Sequence, residues 1–442
     1  MFNNSAVVRD QIKKCVRCGQ CRSVCPIFRE YQTENYSPRG QVFLVQMLRD
    51  GVLPPSPKTA AKLGDCLLCE SCSSNCPSAI PVPELVVEAR SYVASQRPSA
   101  ANHLIFNGLW AHPSRLRKMI GALGIADTLG LRSLARTLGL TRLLPGDLPQ
   151  AEKILDRIPK LPANRQLPAR VAAQGAAKAK VAYFLGCGTD LLFPKVAVAA
   201  VRALSQAGAE VIIPPLLHCC GLPHLANGRK DLSARLAAQN LLTLAATGAD
   251  YVVSDCASCT SALNSPYYSR AGLSEAAADG LLIDGKGRPW DVEKVLTAAD
   301  WLKDRVIDVN VLLMDKLGID RLSGRFTQSV KVTYHDPCHL AKAQKIRLQP
   351  RQILRAIDGI EFKEMAEADA CCGGSGTFGL SHFDLAMKIL DRKISSIRET
   401  GADIVATSCP SCMTQLGYGL RKAGARMEVL HPLQLLVRSA PK

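Results

Sequence analysis

Eighteen cysteines in repeating patterns constrain this 442-residue chain more than any other feature. They fall in groups of eight, five and five along the sequence. The first group holds two runs, Cys15-Val-Arg-Cys18-Gly-Gln-Cys21-Arg-Ser-Val-Cys25-Pro26 and Cys66-Leu-Leu-Cys69-Glu-Ser-Cys72-Ser-Ser-Asn-Cys76-Pro77. Both read C-x2-C-x2-C-x3-C-P, the spacing with which thiolates hold [4Fe–4S] cubanes. Three thiolates two residues apart wrap one loop around three corners of a cube. The fourth, thrown off by the proline, reaches the neighbouring cluster. One cubane is therefore assigned to Cys15, Cys18, Cys21 and Cys76, the other to Cys66, Cys69, Cys72 and Cys25. Structural zinc also takes four cysteines, usually as two C-x2–4-C pairs, a pattern that two proline-terminated runs of four fit poorly.

The remaining ten cysteines repeat. Cys187, Cys219-Cys220-Gly221 and Cys256-Ala-Ser-Cys259 return as Cys338, Cys371-Cys372-Gly373 and Cys409-Pro-Ser-Cys412, at offsets of 151 to 153 residues. Five ordered matches at nearly constant offset mark an internal duplication. Neighbouring thiolates point in different directions and seldom chelate one iron, so each Cys-Cys pair more naturally spans two irons of an enlarged cluster. Gly221 and Gly373 are expected to let the backbone crowd against it. The plainer alternative is a pair containing buried, unligated thiols. His218, His224, His335 and His339 stand beside these motifs, as hydrogen-bond donors, proton carriers or completing ligands; the donor role is the commoner one. Arg17, Arg22 and Arg39 are candidates to raise cluster potentials, against the plainer reading of solvated loop charges. Asp336-Pro337 reads as a turn.

Composition fixes the setting. Hydrophobic residues at 47% and charged residues at 21% give ordinary globular balance and exclude a disordered chain. No apolar run approaches the ~18 residues of a membrane span, and MFNNSAVVRDQIKKC has no apolar signal core. A cytoplasmic location is expected, where structural disulfides rarely persist and many cysteines signify metal. Residues 1–96 read as a helical domain around the two cysteine runs, with helices starting at Ser37-Pro38 and Ser56-Pro57 and another from Glu84 to Ala94. Residues 97–180 carry 14 Lys/Arg against 4 Asp/Glu, and prolines 145, 149, 159, 162 and 168 mark a linker. This basic amphipathic segment is expected either to lie on anionic lipid or a partner, or to pack on the chain's own core. With few aromatics and no recognition motif, nucleic acid is not an expected partner. Residues 181–329 and 330–442 alternate strand and helix: Val181–Leu185, Glu210–Ile213 and Tyr251–Ser254 in one copy, Lys331–His335, Ile360–Met365 and Asp403–Thr407 in the other. The fold class is thus α plus α/β, a helical two-cluster domain followed by a duplicated, Rossmann-like parallel α/β cysteine-rich domain. The first copy has about 30 extra residues near Pro266 to Asp300.

The two cubane runs are those of bacterial ferredoxins. The Cys…Cys-Cys-Gly…Cys-x-x-Cys pattern resembles the CCG domain shared by heterodisulfide reductases and by iron–sulfur subunits of flavin-linked hydroxyacid dehydrogenases. With Ser37-Pro38-Arg39-Gly40 and Tyr334-His335-Asp336-Pro337-Cys338-His339-Leu340 added, the chain outside 97–180 most resembles the glycolate oxidase and D-lactate dehydrogenase iron–sulfur subunits. The resemblance implies an FAD-containing partner that oxidises glycolate or D-lactate while this chain takes the electrons on to a quinone or another carrier; peripheral contact with the inner face of the membrane is the expectation that the basic 97–180 segment raises. It also implies one or two further [4Fe–4S] clusters, of the non-cubane kind, on Cys187, Cys219, Cys220, Cys256 and Cys259 and on Cys338, Cys371, Cys372, Cys409 and Cys412. An ordinary cubane with a spare thiol and a disulfide-active pair stand as alternatives, as does a heterodisulfide-reductase role in which this chain reduces a thiol disulfide. No G-x-G-x-x-G or Walker A run appears, and Gly373-Gly374-Ser375-Gly376 belongs to a cysteine motif, so no FAD is expected in this chain.

Overall fold

The computed structural model describes residues 7–143, 148–319 and 325–438. In the N-terminal part the serine caps act as their sequence requires. Ser37 Oγ accepts from the Gly40 amide at 2.9 Å and starts the helix Pro38–Arg49; Ser56 Oγ accepts from Thr59 at 3.2 Å and starts Pro57–Gly64. The third helix is longer than its expected Glu84–Ala94 span, running Val82–Gln96, because Pro83 fits its first turn. Val42, Val45, Leu63, Leu85, Val86 and Ala89 bury one face of each helix between the cysteine loops.

Two sheets follow. The first contains β1 (Arg170–Val171), β2 (Ala179–Tyr183), β3 (Ala209–Ile212), β4 (Tyr251–Ser254) and β5 (Val306–Asp308), in the order β1-β3-β2-β4-β5 with only β1 antiparallel. The second contains β6 (Arg325–Tyr334), β7 (Asp358–Phe362), β8 (Ile404–Ala406) and β9 (Glu428–Leu430), all parallel, in the order β7-β6-β8-β9. The order β3-β2-β4-β5 matches β7-β6-β8-β9 strand for strand, so the duplication seen in the cysteines extends to topology. Several strands depart from expectation: β2 is shifted two residues toward the N-terminus, β6 starts at Arg325 rather than Lys331, and β7 is displaced as well. β7 begins at Asp358 and ends at Phe362 rather than spanning Ile360–Met365: Glu364 turns away to pair with Arg351, and Met365 buries in the core beneath the Cys371 loop.

The copies share a core instead of standing apart. Tyr183, Val201, Leu204 and Val253 of the first pack with Val332, Tyr334, Ile353 and Leu435 of the second. Helix Pro194–Gln206 lies against Pro432–Arg438. The extra residues of the first copy form Arg270–Ala278 and Val292–Leu302, whose Leu273, Val295 and Leu302 cover helix Lys230–Ala245. Between the N-terminal domain and the first sheet, helices Pro113–Thr128 and Leu131–Thr137 are tied down by Arg117–Asp190 (2.7 Å), Arg132–Glu152 (3.0 Å) and Arg132–Asp127 (3.2 Å). No helix among the described residues is long and apolar enough to cross a membrane.

Candidate metal centres

The strand order decides where the cysteines go. In each sheet the chain passes from its first strand outward to the second, then returns to the third on the other side. A crevice opens at the carboxyl ends of the first and third strands, the usual ligand position in parallel sheets. Cys187 starts the helix after β2 and Cys256 caps the helix after β4; Cys338 and Cys409 do the same after β6 and β8. Cys219-Cys220 and Cys371-Cys372 lie farther from their strands, in loops folded back into the crevice. Gly221 (φ 88°) and Gly373 (φ 80°) turn those loops, and a Cβ there would sit 2.5 Å from Ser233 Oγ or 2.6 Å from the Ala386 carbonyl. Their glycines thus serve the left-handed turn and the close approach of the next helix.

The structure brings each predicted set together. Cys15, Cys18, Cys21 and Cys76 line one cavity, and Cys25, Cys66 and Cys69 another; Cys72 lines both. In the first copy, Cys187 and Cys219 sulfurs stand 4.0 Å apart, Cys219 touches Cys220, Cys220 touches Cys259 and Cys259 touches Cys256. In the second, Cys338 touches Cys371, Cys371 touches Cys372, Cys372 touches Cys412 and Cys412 touches Cys409. Each adjacent pair is split as its geometry demands: one thiol faces the first cysteine of the motif, the other the C-x-x-C turn.

Two further contacts were not legible in the sequence. The Cys69 thiol of the N-terminal domain lies close enough to Cys371 for the two to perturb each other, and Cys409 is placed likewise beside Cys256 across the two copies. The thiols therefore form a continuous file from the N-terminal domain through the second copy to the first. Hydrogen bonds clamp both joints. Lys342 Nζ donates to Ser71 Oγ at 2.6 Å and Ser375 donates to the Leu67 carbonyl at the first joint. Ala257 N donates to the Ser408 carbonyl at 3.0 Å at the second. At one end of the file Cys18 is exposed, whereas Cys69, Cys72 and most of the duplicated-domain thiols are buried.

The donor chemistry suits iron. Burial pushes the Cys25 thiol up to about 12 and Cys66 up to about 11, and contact with Cys371 holds Cys338 well above the ordinary thiol range. Thiolates in such surroundings require a bound cation. A cradle is also present: a Cβ on Gly186 would lie 2.8 Å from Cys259 Sγ.

The histidines divide into two kinds. His218 Nδ1 lies 3.2 Å from the Ala111 carbonyl, and His339 bridges Ser258 Oγ (3.1 Å) and the Leu68 carbonyl (3.2 Å), so one nitrogen of the first and both of the second are engaged by protein groups. His224 and His335 are buried with neither ring nitrogen partnered. Burial lowers them to about 4 and about 3, leaving neutral imidazoles. His335, Cys372 and Cys412 present ligand atoms within 4.8 Å of one another. Of the expected arginines, Arg39 lines the first cavity while pairing with Glu34, which Arg39 holds down to about 2; Arg22 also reaches Glu34, at 3.6 Å, and Arg17 lies over the Phe43 ring. Asp336 does more than shape a turn: it is buried and takes a bidentate bond from Arg351 at 2.7 and 2.9 Å.

Sequence reasoning missed two cations, half-buried Arg90 and buried Lys393, because both lie far from any cysteine in the chain. Arg90 donates to the Leu63 and Cys66 carbonyls at 2.7 and 2.6 Å beneath the second N-terminal set. Lys393 donates to the Glu367 and Ala368 carbonyls at 2.7 and 2.9 Å beside Cys371 and Cys372, and burial draws it down to about 8. A single basic residue within an apolar helical stripe, as Lys393 is among Ile389, Leu390, Ile394 and Ile397, was the available signal. A cavity of about 780 Å³ lies between the 154–158 segment and the two copies, with no cysteine in its lining.

Comparison with known proteins follows the same division. A 4Fe-4S dicluster domain model matches residues 11–80, a glycolate oxidase iron-sulfur subunit linker model 97–155, and a cysteine-rich domain model both 181–264 and 332–417. The linker match extends the family likeness into the segment from which it was expected to be absent. A probable glycolate oxidase iron-sulfur subunit of Bacillus subtilis is 30% identical over 97% of this chain and 94% of its own length. A subunit of the fumarate reductase (CoM/CoB) of Methanothermobacter marburgensis is 26% identical over 96% of this chain and 72% of its own. Lactate utilization protein A 2 of Bacillus cereus is 27% identical over 60% of this chain and all of its own length.

Proposed function

From the premise that the chain belongs to the glycolate oxidase iron-sulfur subunit family, we propose that it is the electron-transfer subunit of a flavin-linked 2-hydroxyacid dehydrogenase. An FAD-containing partner would take two electrons from glycolate or D-lactate, and this chain would accept them singly and deliver them to a quinone or another carrier. The observation that carries the reading is the unbroken file of thiols from the exposed Cys18 end to Cys187. [4Fe–4S] clusters held there would supply one-electron redox capacity. The protein's part is to fix the order of the sites, exclude water from them and place one end at the surface. In this reading residues 1–96 hold two cubanes, on the crossed sets given above, 97–180 joins the domains, and 181–329 and 330–442 hold one five-cysteine site each. The shared strand order supports treating each copy as a Rossmann-like unit.

Anaerobically prepared protein should contain about 16 iron atoms per chain, at about four per site; fewer than about eight would contradict the assignment. The likeness to a fumarate reductase (CoM/CoB) component supports a second reading, in which the five-cysteine sites split a thiol disulfide. Turnover of a heterodisulfide with reduced viologen would favour it, and inertness would reject it.

A further inference from the structure

Exposed apolar side chains concentrate on the linker helices. Among the described residues, eleven of the twenty-one exposed large apolar side chains fall between 104 and 143. Leu129, Leu138 and Leu143 are 68, 63 and 80% exposed, which no packing against this chain's own core accounts for. Eight of the eleven are leucines and none is aromatic. Protein interfaces draw their binding energy from Trp, Tyr and Arg anchors, with Leu under-represented; a leucine-rich face instead suits the acyl boundary of a bilayer.

Charge agrees. Between residues 103 and 143 there are six Lys/Arg and a single acid, Asp127. Asp127 is engaged by Arg132 and the Ile158 amide. Arg117, Arg132 and Arg136 are also paired with carboxylates, whereas Arg115, Lys118 and Arg142 have no carboxylate partner among the described residues. The same segment roofs the end of the thiol file. Trp110, Pro113 and Leu116 line a small cleft with Cys187, Cys219 and Leu217, and the neighbouring Leu216 is 65% exposed.

We propose that the 104–143 face seats on an anionic phospholipid surface, placing Cys187 and Cys219 next to the bilayer. The binding stands on the surface alone; its use, handing electrons to a lipid-soluble acceptor, rests on the electron-transfer reading above. The test is co-sedimentation of the full-length, iron-loaded protein with vesicles of phosphatidylcholine, alone or mixed with phosphatidylglycerol. Binding to the mixed vesicles is expected, weakening as salt rises. Replacing Arg115, Lys118 and Arg142 together by Gln should lower partitioning about a hundredfold, at about fivefold per charge. The Leu134→Ser, Leu138→Ser, Leu143→Ser triple variant should also fail to bind while retaining full iron content and visible absorbance. Wild-type protein that stays in the supernatant, or variants that bind as well as wild type, would overturn the proposal. So would a leucine variant that binds vesicles normally but releases the flavoprotein partner, since the face would then be a protein interface. Vesicle binding by protein that proves poor in iron would leave the lipid face standing and remove the electron-transfer reading instead.

Discussion

The two copies of the cysteine-rich domain share a motif and a strand order yet surround their thiols differently. The second copy meets Cys69 of the N-terminal domain, faces the Lys393 ammonium and holds His335 against Cys372 and Cys412. The first copy meets Cys409, lies beside the carboxyl group of Asp255, which burial pushes up to about 6, and has neutral Asn240 and Tyr268 bonded to the Cys219 and Cys220 carbonyls. A cation near a cluster favours its reduced form, and a carboxylate disfavours it. The later copy in the chain is the earlier one in the thiol file, and a cluster held there would be the more easily reduced. Duplication supplied two equal cradles; residues outside the motif made them unequal.

The largest expected effect breaks the file at the joint between the copies. Cys409→Ser should stop electrons from the N-terminal set reaching the first copy, lowering its rate of reduction by orders of magnitude, while Cys256→Ser should leave the second copy reducible at the normal rate. Freeze-quench electron paramagnetic resonance after mixing with reductant distinguishes the two, and equal behaviour of both variants would refute the order. A smaller effect sharpens the electrostatic contrast. Lys393→Met should lower the second site's potential by about 0.1 V, the size of one charge several ångströms away at an effective dielectric of about 20, with the first site unmoved in the same redox titration. The smallest concerns the unpartnered imidazoles. His335→Phe should perturb only the second copy's spectrum and His224→Phe only the first's; thermal stability should change little, because neither ring gives up a protein hydrogen bond.

Much of this was legible in the sequence because the informative residues are local. Cysteine spacing, the Ser-Pro helix starts and the strand–turn–cysteine pattern each act within a few residues, and all appear in the structure. The order of the sites did not appear, because it depends on Cys69 meeting Cys371 and Cys256 meeting Cys409, contacts between residues some 150 to 300 positions apart that no periodicity encodes. The helix contacts of Gly221 and Gly373 were hidden for a related reason. Their neighbours, Ser233 and Ala386, sit on the following helices, and nothing in the motif points to them. Lys393 and Arg90 were invisible as cluster neighbours until the helices carrying them were packed.

The central claim is that the chain conducts through its second copy before its first. Time-resolved reduction of the iron-loaded, full-length protein by its reduced flavoprotein partner tests it most directly. The N-terminal signals should appear first, the second copy's next and the first copy's last, with the final step lost in Cys409→Ser. A first-copy signal that rises before the second's, or at an unchanged rate in that variant, would contradict the account.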